Sequence, residues 1–120
     1  MTRLRYLVDE DTPHAIRDPR LRRQPELEVL AVGDALAPAF GTLDPDLLRW
    51  IEREGYVLVS RNRRTLARHL RHHLEAGGHV PGIFLLRRRA LLGHILEDLL
   101  LIWEAGHPDE YRDRIEYLPL

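Results

Sequence analysis

A chain of 120 residues that is 44% apolar has room for one domain with a substantial core, taken here as residues 1–120 throughout. It has no cysteine, which excludes disulfides, thiolate zinc sites and a thiol nucleophile. All 18 of its basic residues are arginine, so a Schiff-base lysine, a P-loop lysine and a receiver-type lysine switch are excluded as well. A net charge of −1 argues against a protein that coats nucleic acid wholesale.

The charge is unevenly spread. Residues 61–73 hold five arginines and three histidines without an acid, whereas Asp9 to Asp11 and Asp44 to Asp46 are acidic clusters. The N-terminal stretch lacks the pattern of a secretory leader. The longest apolar run, residues 90–103, is interrupted by His94, Glu97 and Asp98 and is too short and polar to span a bilayer. With no cysteine, these features set the expectation of a cytoplasmic protein.

In chain order, residues 4–8 read as a first strand that runs into Asp9-Glu10-Asp11. Thr12 then has the look of a helix N-cap with Pro13 at the first helical position, but Asp18-Pro19 keeps that helix short or irregular. A second strand fits residues 27–32, after Pro25. Residues 33–43 are rich in Gly, Ala and Pro without a period and read as a loop, either a lid or slack. Asp44-Pro45 repeats the cap-then-proline start; Leu47, Leu48 and Ile51 form the helical stripe, and Gly55 closes it.

Residues 56–60 are a compact apolar strand of the kind buried on both faces. Leu66, Leu70 and Leu74 mark the next helix, which Gly77-Gly78 ends. Residues 83–86 give a fourth strand, 90–105 a fourth helix and 115–118 a short last strand. Strands alternating with helices predict an α/β domain of three layers: a mostly parallel sheet of about five strands with helices on both faces.

In such sheets ligands bind beyond the carboxyl ends of the strands, where the strand order switches. Asp9 and Glu10 follow the first strand, Ser60-Arg61-Asn62-Arg63 the third, and Arg87 to Arg89 the fourth; Asp44 joins them if the loop before it folds over the top. No glycine fingerprint follows the first strand, so a dinucleotide site is not expected, and there is no P-loop. A phosphoacceptor receiver fails because Asn62 stands where the acceptor aspartate belongs. What remains is carboxylates gathered for hard divalent cations, of which Asp9 and Asp44 are the catalytic candidates, Asp44 reading equally well as a helix N-cap. Arg61, Arg63, Arg64, Arg68 and Arg87 form a rim able to hold RNA phosphates, although the arginines from 61 to 71 read equally well as a solvated helix face.

The segments "LVDED" (7–11), "LDPDLLRWIEREGYVLVSRN" (43–62) and "GIFLLRR" (82–88) together resemble the small bacterial PIN-like domains. The resemblance implies a magnesium- or manganese-dependent ribonuclease, often the toxin of a toxin–antitoxin pair. It matches Asp9 to the family's central metal-binding acid, Glu10 to its neighbour and Asp44 to the acid opening the following helix. Ser60-Arg61-Asn62 stands where the family has Thr-Arg-Asp. Asn62 is thus a departure: an amide oxygen ligates a cation without contributing charge. That leaves a degenerate module, binding RNA or a protein without cutting, as the alternative.

Two features carry further expectations. His69, His72 and His73 lack the Glu that a helical zinc-protease motif needs and read as a solvated basic face. The helix at 90–105 is apolar around much of its circumference, with rows Leu91, Ile95, Leu99, Ile102 and Leu92, Leu96, Trp103, and Leu101 among Glu97, Asp98 and Glu104. This is either wide burial in the core or a face for a homodimer or an antitoxin.

Overall fold

The computed structural model describes residues 3–17, 24, 26–61 and 64–120, omitting the side chains of His14 and Arg17. The elements are β1 (Tyr6–Val8), a 3₁₀ turn η1 (His14–Arg17), β2 (Val29–Ala31), α1 (Asp44–Glu54), β3 (Val57–Ser60) and α2 (Leu66–Glu75). They are followed by β4 (Ile83–Leu86), α3 (Leu92–Ala105), a second 3₁₀ turn η2 (Pro108–Glu110) and β5 (Ile115–Leu118). The strands form one five-stranded sheet in the order β2-β1-β3-β4-β5. Every neighbouring pair is parallel.

Alternation along the strands sorts the side chains into two cores. Tyr6, Val8, Val57, Val59, Phe84 and Leu86 point to one face, where Ile16 of η1 and Ile95, Leu99, Ile102 and Trp103 of α3 cover them. Leu7, Leu58, Ile83 and Leu85 point to the other, beneath Leu47, Leu48 and Ile51 of α1 and Leu66 and Leu70 of α2. The three-layer α/β arrangement expected from the alternation of elements is therefore present, with helices on both faces. Each of the fully buried leucines and isoleucines stabilises the fold by about 1.5–3 kcal/mol relative to exposure. A radius of gyration of 13.2 Å matches the ~13–14 Å of a close-packed domain of this length.

Local sequence explains the boundaries. Gly55 sits in the left-handed region at φ 77°, and its N–H returns to the Ile51 carbonyl at 2.8 Å, ending α1. The first helix reduces to η1, in keeping with the short or irregular helix expected there. The Thr12 hydroxyl donates to the Asp9 carbonyl at 2.5 Å and closes a turn. Asp18-Pro19 and Pro25 lie outside the described residues.

The last helix begins at Leu92 rather than residue 90, because Leu91 is its extended N-cap, 65% exposed. Leu91 thus drops out of its row. Ile95, Leu99, Ile102 and Trp103 are buried, and Leu92, Leu96 and Leu100 pack against the same core. Most of the broad apolar circumference is spent inside the domain, and Leu101 stands out at 55% exposure. No described helix is long and apolar enough to cross a membrane.

Candidate functional site

The order of strands switches between β1 and β3, so the ends of these two adjacent strands flank the crevice where a parallel sheet offers a binding site. Asp9 is the first residue past β1, and its N–H donates to the Val59 carbonyl of β3 at 2.9 Å. That bond extends the ladder by one residue and holds the side chain over the crevice. Ser60 ends β3, fully buried, and its hydroxyl donates to Asp9 Oδ2 at 2.8 Å. The Glu10 N–H donates to Asp9 Oδ1, also at 2.8 Å. One carboxylate is thereby fixed through both oxygens.

Asp44 reaches the same edge by the route the sequence required, through a loop that folds over the top of the sheet. It is the first helical residue of α1 and not the N-cap, which is Leu43; Pro45 follows as expected. The Thr65 hydroxyl, just ahead of α2, donates to Asp44 Oδ2 at 2.7 Å. His69 Nε2 lies 3.9 Å from the same oxygen. Both Asp44 and His69 are largely shielded from solvent.

The electrostatics join the two acids. Burial pushes the Asp9 carboxyl above its usual range; the hydrogen bonds from Ser60 and Glu10 pull it back, and the negative charges of Asp11 and Asp44 raise it again. Of these influences the charge of Asp44 is the smallest. The crevice concentrates negative charge on a partly desolvated carboxylate.

The remaining predicted residues divide. Glu10 is exposed, and its Oε1 accepts the Gly41 N–H at 3.0 Å, so this side chain ties down the loop over residues 33–43. Arg61, Arg64 and Arg68 are exposed on the segment that leaves β3 and on the outer side of α2. Arg87 is exposed too, but its Nε donates to the Pro119 carbonyl at 2.7 Å and its guanidinium lies 5.6 Å from the Tyr117 ring centroid. Asn62 and Arg63 lie outside the described residues.

The histidines do not share one solvated face. His72 is exposed, but His73 is mostly buried and its Nε2 donates to Glu52 Oε1 at 2.6 Å. His69 turns toward Asp44. Sequence reasoning passed over Thr65, His69 and Asp11 as parts of the site. Thr65 had a weak signal, a hydroxyl at the start of the helix after β3, but its partner is 21 residues away.

The donor chemistry fits a hard cation. The two carboxylates and two hydroxyls offer oxygen, with the His69 nitrogen beside Asp44, and magnesium or manganese accepts a partial oxygen set while keeping several waters. Among the described residues, no group of three or more His, Cys, Asp or Glu is gathered as a ligand cage. Asp9 and Asp44 are the carboxylates of this edge that could hold a cation. No family model, curated protein or solved structure matches the chain at a significant level.

Proposed function

We propose that the protein is a PIN-like ribonuclease that depends on magnesium or manganese, acting in the cytoplasm as the toxin of a toxin–antitoxin pair. The observation that carries this reading is the Asp9 carboxylate, partly buried and held at both oxygens by Ser60 and Glu10 at the strand switch. A carboxylate so placed favours a cation over solvent. A divalent ion bound there would supply charge neutralisation and a more acidic water for phosphodiester hydrolysis.

The chain's own residues have distinct tasks. Asp9 and Asp44 hold the cation. Ser60 and Thr65 orient those carboxylates, so their geometry is set before anything binds. Asn62 lies outside the described residues, and its role as a neutral oxygen ligand is what the family resemblance implies. Arg61, Arg64 and Arg68, with Arg63 between them in sequence, hold flanking phosphates of RNA. Glu10 acts through the loop it anchors, a task different from the ligand role that the family resemblance implies. Incubating RNA with the protein in manganese tests the reading: cleavage by the wild type is lost in Asp9→Ala and Asp44→Ala. Equal cleavage by all three would contradict it.

A second reading, a module that binds RNA or a protein partner without cutting, is favoured by Asn62 and by the engagement of Glu10 with Gly41. On that reading Asn62→Asp restores charge and enlarges the thermal shift produced by manganese. Tight manganese binding with RNA cleavage by the natural sequence removes it.

A further inference from the structure

The loop over residues 33–43 displays Leu36, Phe40 and Leu43, respectively 82%, 69% and 70% exposed, and Phe40 lines one indentation with Asp9 and Glu10. Large apolar side chains turned to water in one short loop call for an explanation, and slackness does not supply one. The loop is held by its own hydrogen bonds: Gly33 N–H to Pro38 carbonyl at 2.8 Å, Ala31 N–H to Asp34 Oδ2 at 2.8 Å and the Thr42 hydroxyl to Ala39 carbonyl at 2.6 Å. Glu10 anchors its far end through Gly41. The apolar groups are presented in a prepared conformation, which lowers the ordering cost of binding.

Phe40 is the most constrained of the three. Its ring lies against the backbone of Gly33, which sits at φ 100°; a Cβ at that position would come within 2.3 Å of the ring. The ring is thus backed by main chain while most of its surface faces solvent. It also lines the same indentation as Asp9, Glu10, Thr12 and Pro13. An aromatic ring with solvent access on the lip of a carboxylate crevice suits a ligand with a flat π-face at one end and an anionic, cation-bridged group at the other. A nucleotide within a single strand has both.

We propose that Phe40 is a stacking platform for a nucleobase of single-stranded RNA, while the adjoining backbone phosphate lies at Asp9 and Asp44. The proposal rests on the hydrolase reading above and names its substrate class. Stacking is tolerant of sequence, because each base has a π-face, and a duplex hides those faces. Phe40 is therefore a positioning and selectivity residue; the phosphate chemistry remains with the acids.

The test is fluorescence anisotropy with a labelled single-stranded RNA of mixed sequence and a blunt duplex, in manganese, with the probe's length checked by gel afterwards. Wild type binds the single strand more tightly than the duplex. Phe40→Ala weakens single-strand binding by about tenfold, the usual effect of losing one base–aromatic stack, and Phe40→Tyr retains it. Binding by Phe40→Ala within about twofold of wild type overturns the platform but leaves the hydrolase reading standing. Failure of the wild type to bind either RNA removes both. If Phe40→Ala instead converts a wild-type dimer to a monomer in sedimentation, with RNA binding unchanged, the lip serves a second copy and the platform is likewise overturned.

Discussion

The Ser60 hydroxyl donates to the Asp9 carboxylate at 2.8 Å, across two neighbouring strands whose residues lie 51 positions apart in the chain. Ser60 is fully buried, so the bond is sheltered from water and sets the direction of a charge that burial otherwise disfavours. Burial, with the neighbouring charges of Asp11 and Asp44, raises the proton affinity of Asp9, a cost to the folded state that a bound cation would relieve.

The first prediction follows from that cost. Asp9→Asn removes the charge but keeps the shape: its oxygen still accepts the Glu10 N–H, and the Ser60 hydroxyl can rotate to accept from the amide. In a chelator the variant is more stable than wild type by roughly 0.5–2 kcal/mol, the range usual for relieving a strained functional site. Urea denaturation reads this directly. A variant less stable than wild type would mean that the charge is already compensated.

Thr65 tests the positioning of the second acid. Thr65→Val keeps the volume and deletes the donor to Asp44 Oδ2, costing about 1 kcal/mol. Manganese affinity should fall several-fold while the far-ultraviolet spectrum is unchanged. Affinity equal to wild type would show that Asp44 needs no support from Thr65.

Gly33 is irreplaceable for two reasons at once. Its φ of 100° disfavours any side chain, and the Phe40 ring occupies the place of a Cβ. Gly33→Ala should destabilise the domain by about 1–3 kcal/mol and release the ring. Calorimetry checks the first effect. A melting temperature equal to wild type would show the loop to be more compliant than its hydrogen bonds imply.

Away from the site, two acids join elements that are distant in sequence. Glu52 of α1 accepts from the His79 N–H and from His73 Nε2, and these bonds lower its carboxyl below the usual value. At Asp113 partial burial raises the carboxyl, but the bonds from His79 and the Val80 N–H outweigh it and the net shift is downward. A carboxylate lowered on folding lends stability above its ordinary pKa, here 4.5 and 3.8, and that stability is lost as pH falls through the folded value. Melting temperature should therefore drop between pH 5 and pH 3, to about the extent that acid titration of paired carboxylates ordinarily gives. The drop is smaller in the double variant Glu52→Gln, Asp113→Asn. Asn suits position 113, where φ is 61°. Parallel losses in both proteins would assign the acid sensitivity elsewhere.

The sheet was legible in the sequence because its strands are short apolar runs between turn residues. Each of the five expected strands has its counterpart, the last two with the expected bounds and the first three trimmed by one to three residues. Asp44-Pro45 and Gly55 bracketed α1 for reasons that are local, namely a preset φ and a left-handed turn. The site was legible only in part. Asp9 and Asp44 follow from the rule that parallel sheets bind at the carboxyl ends of their strands. Glu10 does not, since its direction is decided by a Gly41 N–H 31 residues away. His73 reads as one more residue of a basic helix until α1 brings Glu52 against it. The loop over residues 33–43 looks slack by composition, while its order comes from hydrogen bonds that composition does not encode.

The central claim is that Asp9 and Asp44 share one divalent cation, and a calorimetric titration with manganese tests it most directly. Wild type should show one saturable site, absent from Asp9→Ala and from Asp44→Ala, with both variants folded. Identical heats from all three proteins, or none from the wild type, would contradict the account.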